Sequence, residues 1–125
     1  MPKIPRVDYA SASQTILIAV NTECHFCTES IPFYNELAKL QQMKDKGTRI
    51  IAVFPNAESE VQQYVKQNQL QVEAIAGVDL KTFNVRGTPT MILVDRNGKV
   101  LNFWIGKLSE DEKKQAVNIL TAPKM

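Results

Sequence analysis

Two cysteines, Cys24 and Cys27, are the only thiols in the chain, and its single histidine, His25, lies between them. Thiols three positions apart cannot build the long-range disulfide framework of small secreted domains, so their meaning is local. Thiol–disulfide exchange is one chemistry open to them: one thiolate attacks a disulfide and the second thiol resolves the mixed disulfide that results. Zinc binding is another. A structural zinc site needs four ligands, whereas the chain offers only Cys24, His25 and Cys27, and the adjacent Cys24 and His25 are poorly placed to hold one ion together. No metal is therefore expected. An incidental pair of thiols is the third reading.

The flanking sequence bears on this choice. Residues 15–20, Thr-Ile-Leu-Ile-Ala-Val, form a continuous apolar and β-branched run, as a central strand covered on both faces requires. After Asn21-Thr22-Glu23, apolar residues recur at Ile31, Tyr34, Leu37, Leu40 and Met43, predicting a helix from His25 to about Lys46, stopped by Gly47. Pro32 inside it predicts a kink near the first two turns. The pair thus falls at a helix start, where unpaired backbone N–H groups favour a thiolate over a thiol. Helix geometry makes Cys24 the exposed attacker at the cap and Cys27 the resolver pointing towards the core. His25, when protonated, adds positive charge beside the thiolate and makes the couple more oxidising; a solvated surface role is its plainer reading. For Phe26, packing is expected over exposure as a substrate contact.

Further along, residues 49–54 read as a second buried strand, and Pro55-Asn56 as a break and cap before a helix with Val61, Tyr64 and Val65 on its apolar face, running to about Asn68. Strand, helix and strand in this order favour a parallel βαβ unit. Residues 71–75 suggest a short strand and 79–84 a helical turn. Residues 90–94 and 99–105 flank Asp95-Arg96-Asn97-Gly98, where Asn-Gly signals a hairpin. Ser109 and Glu112 make a capping box for a final helix with Ala116, Val117 and Leu120 inside. The division expected is an irregular lead-in over 1–14, one domain over 15–121 and a tail over 122–125.

With 125 residues and 44% hydrophobic content, the chain has the size and apolar side chains for a single core. Fifteen basic and thirteen acidic residues, scattered along it, leave a net charge of +2 and no footprint for a phosphate backbone, so nucleic acid is not an expected partner. The longest apolar run, Ile16 to Val20, is far short of the roughly 20 residues that span a bilayer, and the first residues lack a signal-peptide core. No membrane contact is expected of this chain. It is either cytoplasmic or separated from its export signal or anchor.

A strand followed by C-x-x-C at a helix start, with Pro32 five residues after the second cysteine, resembles the thioredoxin superfamily. Val85-Arg86-Gly87-Thr88-Pro89-Thr90, an apolar strand, and Asp95-Arg96-Asn97-Gly98-Lys99-Val100 resemble its cis-proline loop and terminal hairpin. The resemblance covers residues 15–121, and the long stretch between Cys27 and Pro89 is similar to that of the TlpA/ResA-like branch. It implies an α/β, thioredoxin-like fold: a central mixed sheet of about four or five strands with helices on both faces. It also implies that Pro89 is cis and faces the cysteines, that Thr88 offers backbone hydrogen bonds to a substrate chain, and that the protein exchanges disulfides with a protein partner. A separate redox donor, an extracytoplasmic setting with an anchor outside this chain, and no cofactor beyond the Cys24–Cys27 pair complete the expectation.

Departures accompany the matches. Where thioredoxins carry Trp before the first cysteine and a buried acid six residues before it, this chain has Glu23 and Ile18; where the reductase branch often has a glutamate, it has Ser30. Glu23 and Glu29 are the candidates for proton transfer in their place, each also readable as a helix-start charge. Two other functions stay open. A peroxiredoxin-type peroxidase would carry Thr three residues before its cysteine, where Asn21 stands, and a copper carrier would use the dithiol with a histidine, of which only His25 exists.

Overall fold

The computed structural model describes residues 4, 6–44 and 47–121. The expected end of the first long helix at Lys46 and the tail 122–125 lie outside the described residues. Five strands, β1 (Gln14–Ala19), β2 (Thr48–Val53), β3 (Glu73–Ile75), β4 (Thr90–Asp95) and β5 (Val100–Ile105), form one mixed sheet in the order β3-β2-β1-β4-β5. β1, β2 and β3 run parallel, and β4 is antiparallel to both β1 and β5. The helices are α1 (His25–Glu29), α2 (Ile31–Lys44), α3 (Glu58–Asn68) and α4 (Glu110–Thr121). The predicted strands are present with ends shifted by one or two residues, and so are the predicted helices, except that the first long one is divided.

Strand alternation divides the core. Ile16, Ile18 and Val20 face one cluster with Leu37, Val61, Tyr64, Ala116 and Leu120, so α2, α3 and α4 all lie over this face. Leu17 and Ala19 face the second cluster, where the cover is Ile4 and Tyr9 of the lead-in and Val78, Leu80 and Val85 of the segment before β4. The sheet order explains this. The connections β1 to β2 and β2 to β3 step in the same direction, so right-handed crossovers put both over one face. The sheet is flanked by helices as expected, but among the described residues the helices on the second face are the 3-10 turns Tyr9–Ser11 and Leu80–Phe83.

Local chemistry accounts for most element ends. The expected kinked helix is instead two, separated at Ser30, because Pro32 offers no N–H and its ring crowds the preceding turn. Met43, placed on the apolar stripe by its spacing, is exposed near the end of α2, where the stripe has passed the sheet. Asn56 is not the cap of α3. That position belongs to Ala57, which makes no side-chain cap bond, while Asn56 Oδ1 accepts the Thr22 N–H at 3.1 Å. In the hairpin, Gly98 N–H donates to Asp95 O and Gly98 alone takes positive φ, so the loop is a turn plus a left-handed glycine rather than a two-residue Asn-Gly turn. The Ser109–Glu112 capping box forms in both directions, at 2.9 and 3.2 Å.

Leu37 is fully buried between sheet and helices. Leu37→Ala is expected to cost about 2 to 5 kcal/mol by urea unfolding, with little change in denaturant slope, because the cavity left there closes only partly. A loss below about 1 kcal/mol would mean that the neighbouring helices collapse into the space.

Candidate active site

The chain leaves β1 through Val20, whose N–H donates to Val53 O, and turns at Asn21. Asn21 closes that turn twice: its carbonyl accepts the Cys24 N–H at 3.1 Å and its side-chain oxygen the Glu23 N–H at 2.9 Å. Cys24 is then the N-cap of α1, with extended backbone (φ −90°, ψ 113°), and its sulfur accepts the Cys27 N–H at 3.1 Å. A sulfur in this place receives a donor that would otherwise be an orphan of the first helical turn, and a negative sulfur receives it more strongly.

Cys24 and Cys27 form a disulfide with 5.2 Å between their Cα atoms, inside the usual range for such bonds. Their exposures differ. Cys24 is half-buried at the surface, whereas Cys27 is 1% exposed and belongs to the helix-covered core. A partner molecule can therefore reach one sulfur and not the other.

Residues 64 positions away complete the surface around Cys24: its sulfur lies 3.5 Å from the Thr88 carbonyl oxygen. The Thr88–Pro89 peptide is cis, and the loop is held from behind. Pro89 O accepts the Gly106 N–H at 2.7 Å, and Thr90 Oγ1 donates to Gly87 O at 2.7 Å. Since β4 pairs with β1, the start of one strand is brought beside the end of the other, and the two loops meet.

The other candidates separate. His25 is exposed, and its Nε2 lies 3.3 Å from Glu29 Oε2, while Glu29 Oε1 accepts from Lys107 Nζ at 3.3 Å. Glu29 is thus part of a surface cluster of charges. Glu23 is exposed in the turn. Phe26 does not pack as expected: it is 55% exposed, with its ring edge-on to His25 at 5.5 Å, because Cys27 takes the inward position of this turn.

Behind Cys27 lies a void of about 10 Å³, whose lining holds the side chains of Tyr34 and Tyr64 among apolar neighbours and no carboxylate. Burial pushes the Tyr34 phenol up to about 12, against a smaller opposing effect of its hydrogen bond with Ser30. Ser30, itself buried, donates from Oγ to Phe26 O at 2.7 Å. Tyr64 reaches from α3 to share a hydrogen bond of 2.7 Å with Thr28 Oγ1 on α1. Sequence periodicity read both tyrosines as apolar-face residues. The signal available was that a buried tyrosine carries a hydroxyl that needs a partner.

The far side of the loop is apolar. On the open face of β5, Phe103 and Ile105 are 58% and 68% exposed, while Trp104 on the opposite side is buried and donates from Nε1 to Gln115. A groove of about 340 Å³ runs along Phe103, Ile105, Ile92, Phe83 and Val85, with Arg86 on its wall. The Leu80–Phe83 turn beside this groove is too short to cover it. Among the described residues, no group of three or more His, Cys, Asp or Glu is gathered to hold a metal ion, and no helix is long and apolar enough to cross a membrane.

Comparison with known proteins agrees with this geometry. The chain is 30% identical over 104 residues to the thiol-disulfide oxidoreductase ResA of Bacillus thuringiensis subsp. konkukian, a match covering 80% of this chain and 59% of that relative. The chain therefore spans somewhat over half the length of the curated relative. Among solved structures, a thiol-disulfide isomerase from Corynebacterium glutamicum shares the fold with a TM-score of 0.74 at 13% identity, covering 98% of this chain and 90% of that one. A secreted disulfide oxidoreductase from Mycobacterium tuberculosis does so with a TM-score of 0.67 at 18% identity, covering 86% and 81%. The Redoxin family profile matches residues 7–120, nearly the whole described chain. The fold is thioredoxin-like, and the chain belongs to the redoxin family.

Proposed function

We propose that the protein exchanges disulfides with polypeptide partners through Cys24 and Cys27. The observation that carries this reading is the unequal pair: one sulfur at the surface, capped by the Cys27 N–H and facing the Thr88 carbonyl, and one sulfur in the core. In the reducing direction the Cys24 thiolate attacks a partner disulfide, forming a mixed disulfide and expelling one partner thiolate. Cys27 loses its proton and attacks the Cys24 sulfur. The Cys24–Cys27 bond forms, and the second partner thiolate leaves with the electron pair. A separate dithiol donor returns the pair to the reduced form, and the reverse sequence oxidises a partner. No cofactor beyond the pair is needed.

Thr88 is suited to align an extended partner chain through its backbone groups beside Cys24, and the apolar groove along β5 supports a polypeptide rather than a small thiol as the partner. With Arg86 on its wall, the groove fits an apolar segment carrying an acidic residue next to the partner's disulfide. Similarity to ResA and to a secreted oxidoreductase supports work outside the cytoplasm. Pairing of His25 with Glu29 leaves the imidazole away from the role a copper carrier would give it. Glu29 and Glu23, both at the surface, are poorly suited to take the proton of buried Cys27.

Three outcomes are expected. Cys24→Ser abolishes disulfide exchange, and Cys27→Ser holds partners as mixed disulfides visible on non-reducing gels; a fully active Cys27→Ser protein would sink the assignment of the resolver. Glu29→Gln removes the carboxylate that offsets charge on His25, so the reduction potential of the couple, measured in graded thiol buffers, becomes more oxidising by no more than about 30 mV at this exposed site. Replacing Phe103 and Ile105 together by Ser raises KM for an apolar polypeptide disulfide by roughly tenfold, while a small aromatic disulfide reacts as before. Equal loss with both substrates would mean that these side chains serve the fold and not the partner.

A further inference from the structure

Cys24 is held on both sides by the turn before α3 and by α3 itself. Ahead of it, the Thr22 N–H donates to Asn56 Oδ1 at 3.1 Å. Behind it, the Cys24 carbonyl accepts twice from Thr28, from the N–H at 3.2 Å and from Oγ1 at 3.3 Å, and Thr28 Oγ1 lies 2.7 Å from Tyr64 Oη. A threonine hydroxyl has one proton, and here the Cys24 carbonyl takes it, so the Tyr64 phenol donates to Thr28. The series from Tyr64 through Thr28 to the Cys24 carbonyl thus has a fixed direction and ends on the residue that carries the reactive sulfur.

Both holding groups are themselves anchored. Asn56 O accepts the Gly77 N–H at 2.9 Å, Asn56 Nδ2 donates to Glu60 Oε2 at 3.4 Å, and the buried Tyr64 ring packs edge-on to Phe54, 5.7 Å between centroids. The use made of Asn56 runs against local preference. An asparagine is among the best helix caps, yet α3 starts from Ala57 without a side-chain cap while the neighbouring Asn56 side chain faces the cysteine loop.

We propose that Asn56 and Tyr64 are positioning residues for Cys24. By fixing Thr22 and Thr28 to α3, they hold the cap of α1 so that the Cys27 N–H stays aimed at the Cys24 sulfur, 3.1 Å away, and that sulfur stays beside Thr88 O. A hydrogen bond favours the thiolate only while donor and sulfur remain aligned. Loosening either hold therefore raises the pH at which Cys24 ionises and slows its attack on a partner disulfide. These roles rest on the disulfide-exchange reading and extend it to residues that touch no reacting atom.

The test is thiolate absorbance against pH in a Cys27→Ser background, where Cys24 is the one thiol left. Beside it stands the rate at which the reduced two-cysteine protein attacks an aromatic disulfide, breaking its S–S bond and releasing one coloured thiolate. Charged groups on the elements around Cys24, namely Glu23, His25 and Glu29, Glu60 on α3, Arg86 before β4 and Lys107 after β5, are kept in every variant. Asn56→Ala and Tyr64→Phe are each expected to raise the pH of half-ionisation by about 0.5, a roughly threefold loss of thiolate below it, and to slow the release measured there. Thr28→Val does the same, and Thr28→Ser brings both back; since Thr28 is exposed, these two variants decide the Tyr64 arm even where Tyr64→Phe does not fold. Val61→Ala, a truncation on the buried side of α3, lowers the urea midpoint and moves neither readout. A Cys24 titration unmoved in Asn56→Ala and Tyr64→Phe overturns the proposal, and so does an equal movement in Val61→Ala, because the effect is then a general loosening of the fold. If the wild-type protein releases no thiolate from the reagent, disulfide exchange is the reading that fails, and the titration still decides the two residues.

Discussion

The hydrogen bond from the Cys27 N–H to the Cys24 sulfur is the interaction on which the site depends. It makes a reactive atom serve as a helix cap. The same residue that ends the loop after β1 supplies the acceptor that the first helical turn lacks, so the sulfur is held at the surface by the backbone rather than by side-chain packing. Everything that orients the helix orients the sulfur. Asn21 shapes the loop before it, and Asn56 Oδ1 ties Thr22 to the loop after β2, so two strand ends hold the cap in place.

The sheet order supplies the other half of the site. Two crossovers in the same direction stack α2 and α3 over one face and carry the chain away from β1; the return crosses the opposite face as a loop and a 3-10 turn before entering β4. Antiparallel pairing of β4 with β1 then delivers Thr88 and Pro89 to the open end of β1, beside Cys24. The return path is short of covering structure, and the cost is an exposed apolar face on β5, the strand at the edge of the sheet. Edge strands of this length without a charged residue are uncommon unless something covers them. The β3 edge, three residues long and carrying Glu73 paired with Arg49, shows the protected alternative.

Burial of Cys27 makes the two thiols unequal and also creates the difficulty of the fold. In an apolar core the neutral thiol is favoured over the thiolate. Tyr64 comes from α3, the helix between β2 and β3, and its hydroxyl meets Thr28 on α1, so this element ties the short helix of the cysteine pair to the rest of the covered face.

Much of this was legible in the residues. Continuous β-branched runs mark the central strands because both of their faces are covered, the capping box of α4 is a local interaction between Ser109 and Glu112, and the C-x-x-C pair announces its chemistry through spacing alone. Pro32 signals a break in the helix for the same local reason, and the chain there forms two helices separated at the buried Ser30. What the tertiary structure decided are the properties set by direction and distance between elements: that Asn56 ties a loop instead of capping α3, that Phe26 turns outward while Cys27 turns in, that Glu29 joins His25 and Lys107 at the surface, and that Tyr64 meets Thr28. Local pattern determines which side of an element is apolar. It does not determine which partner a polar atom finds, because that partner is brought from a distant part of the chain by the order of the strands.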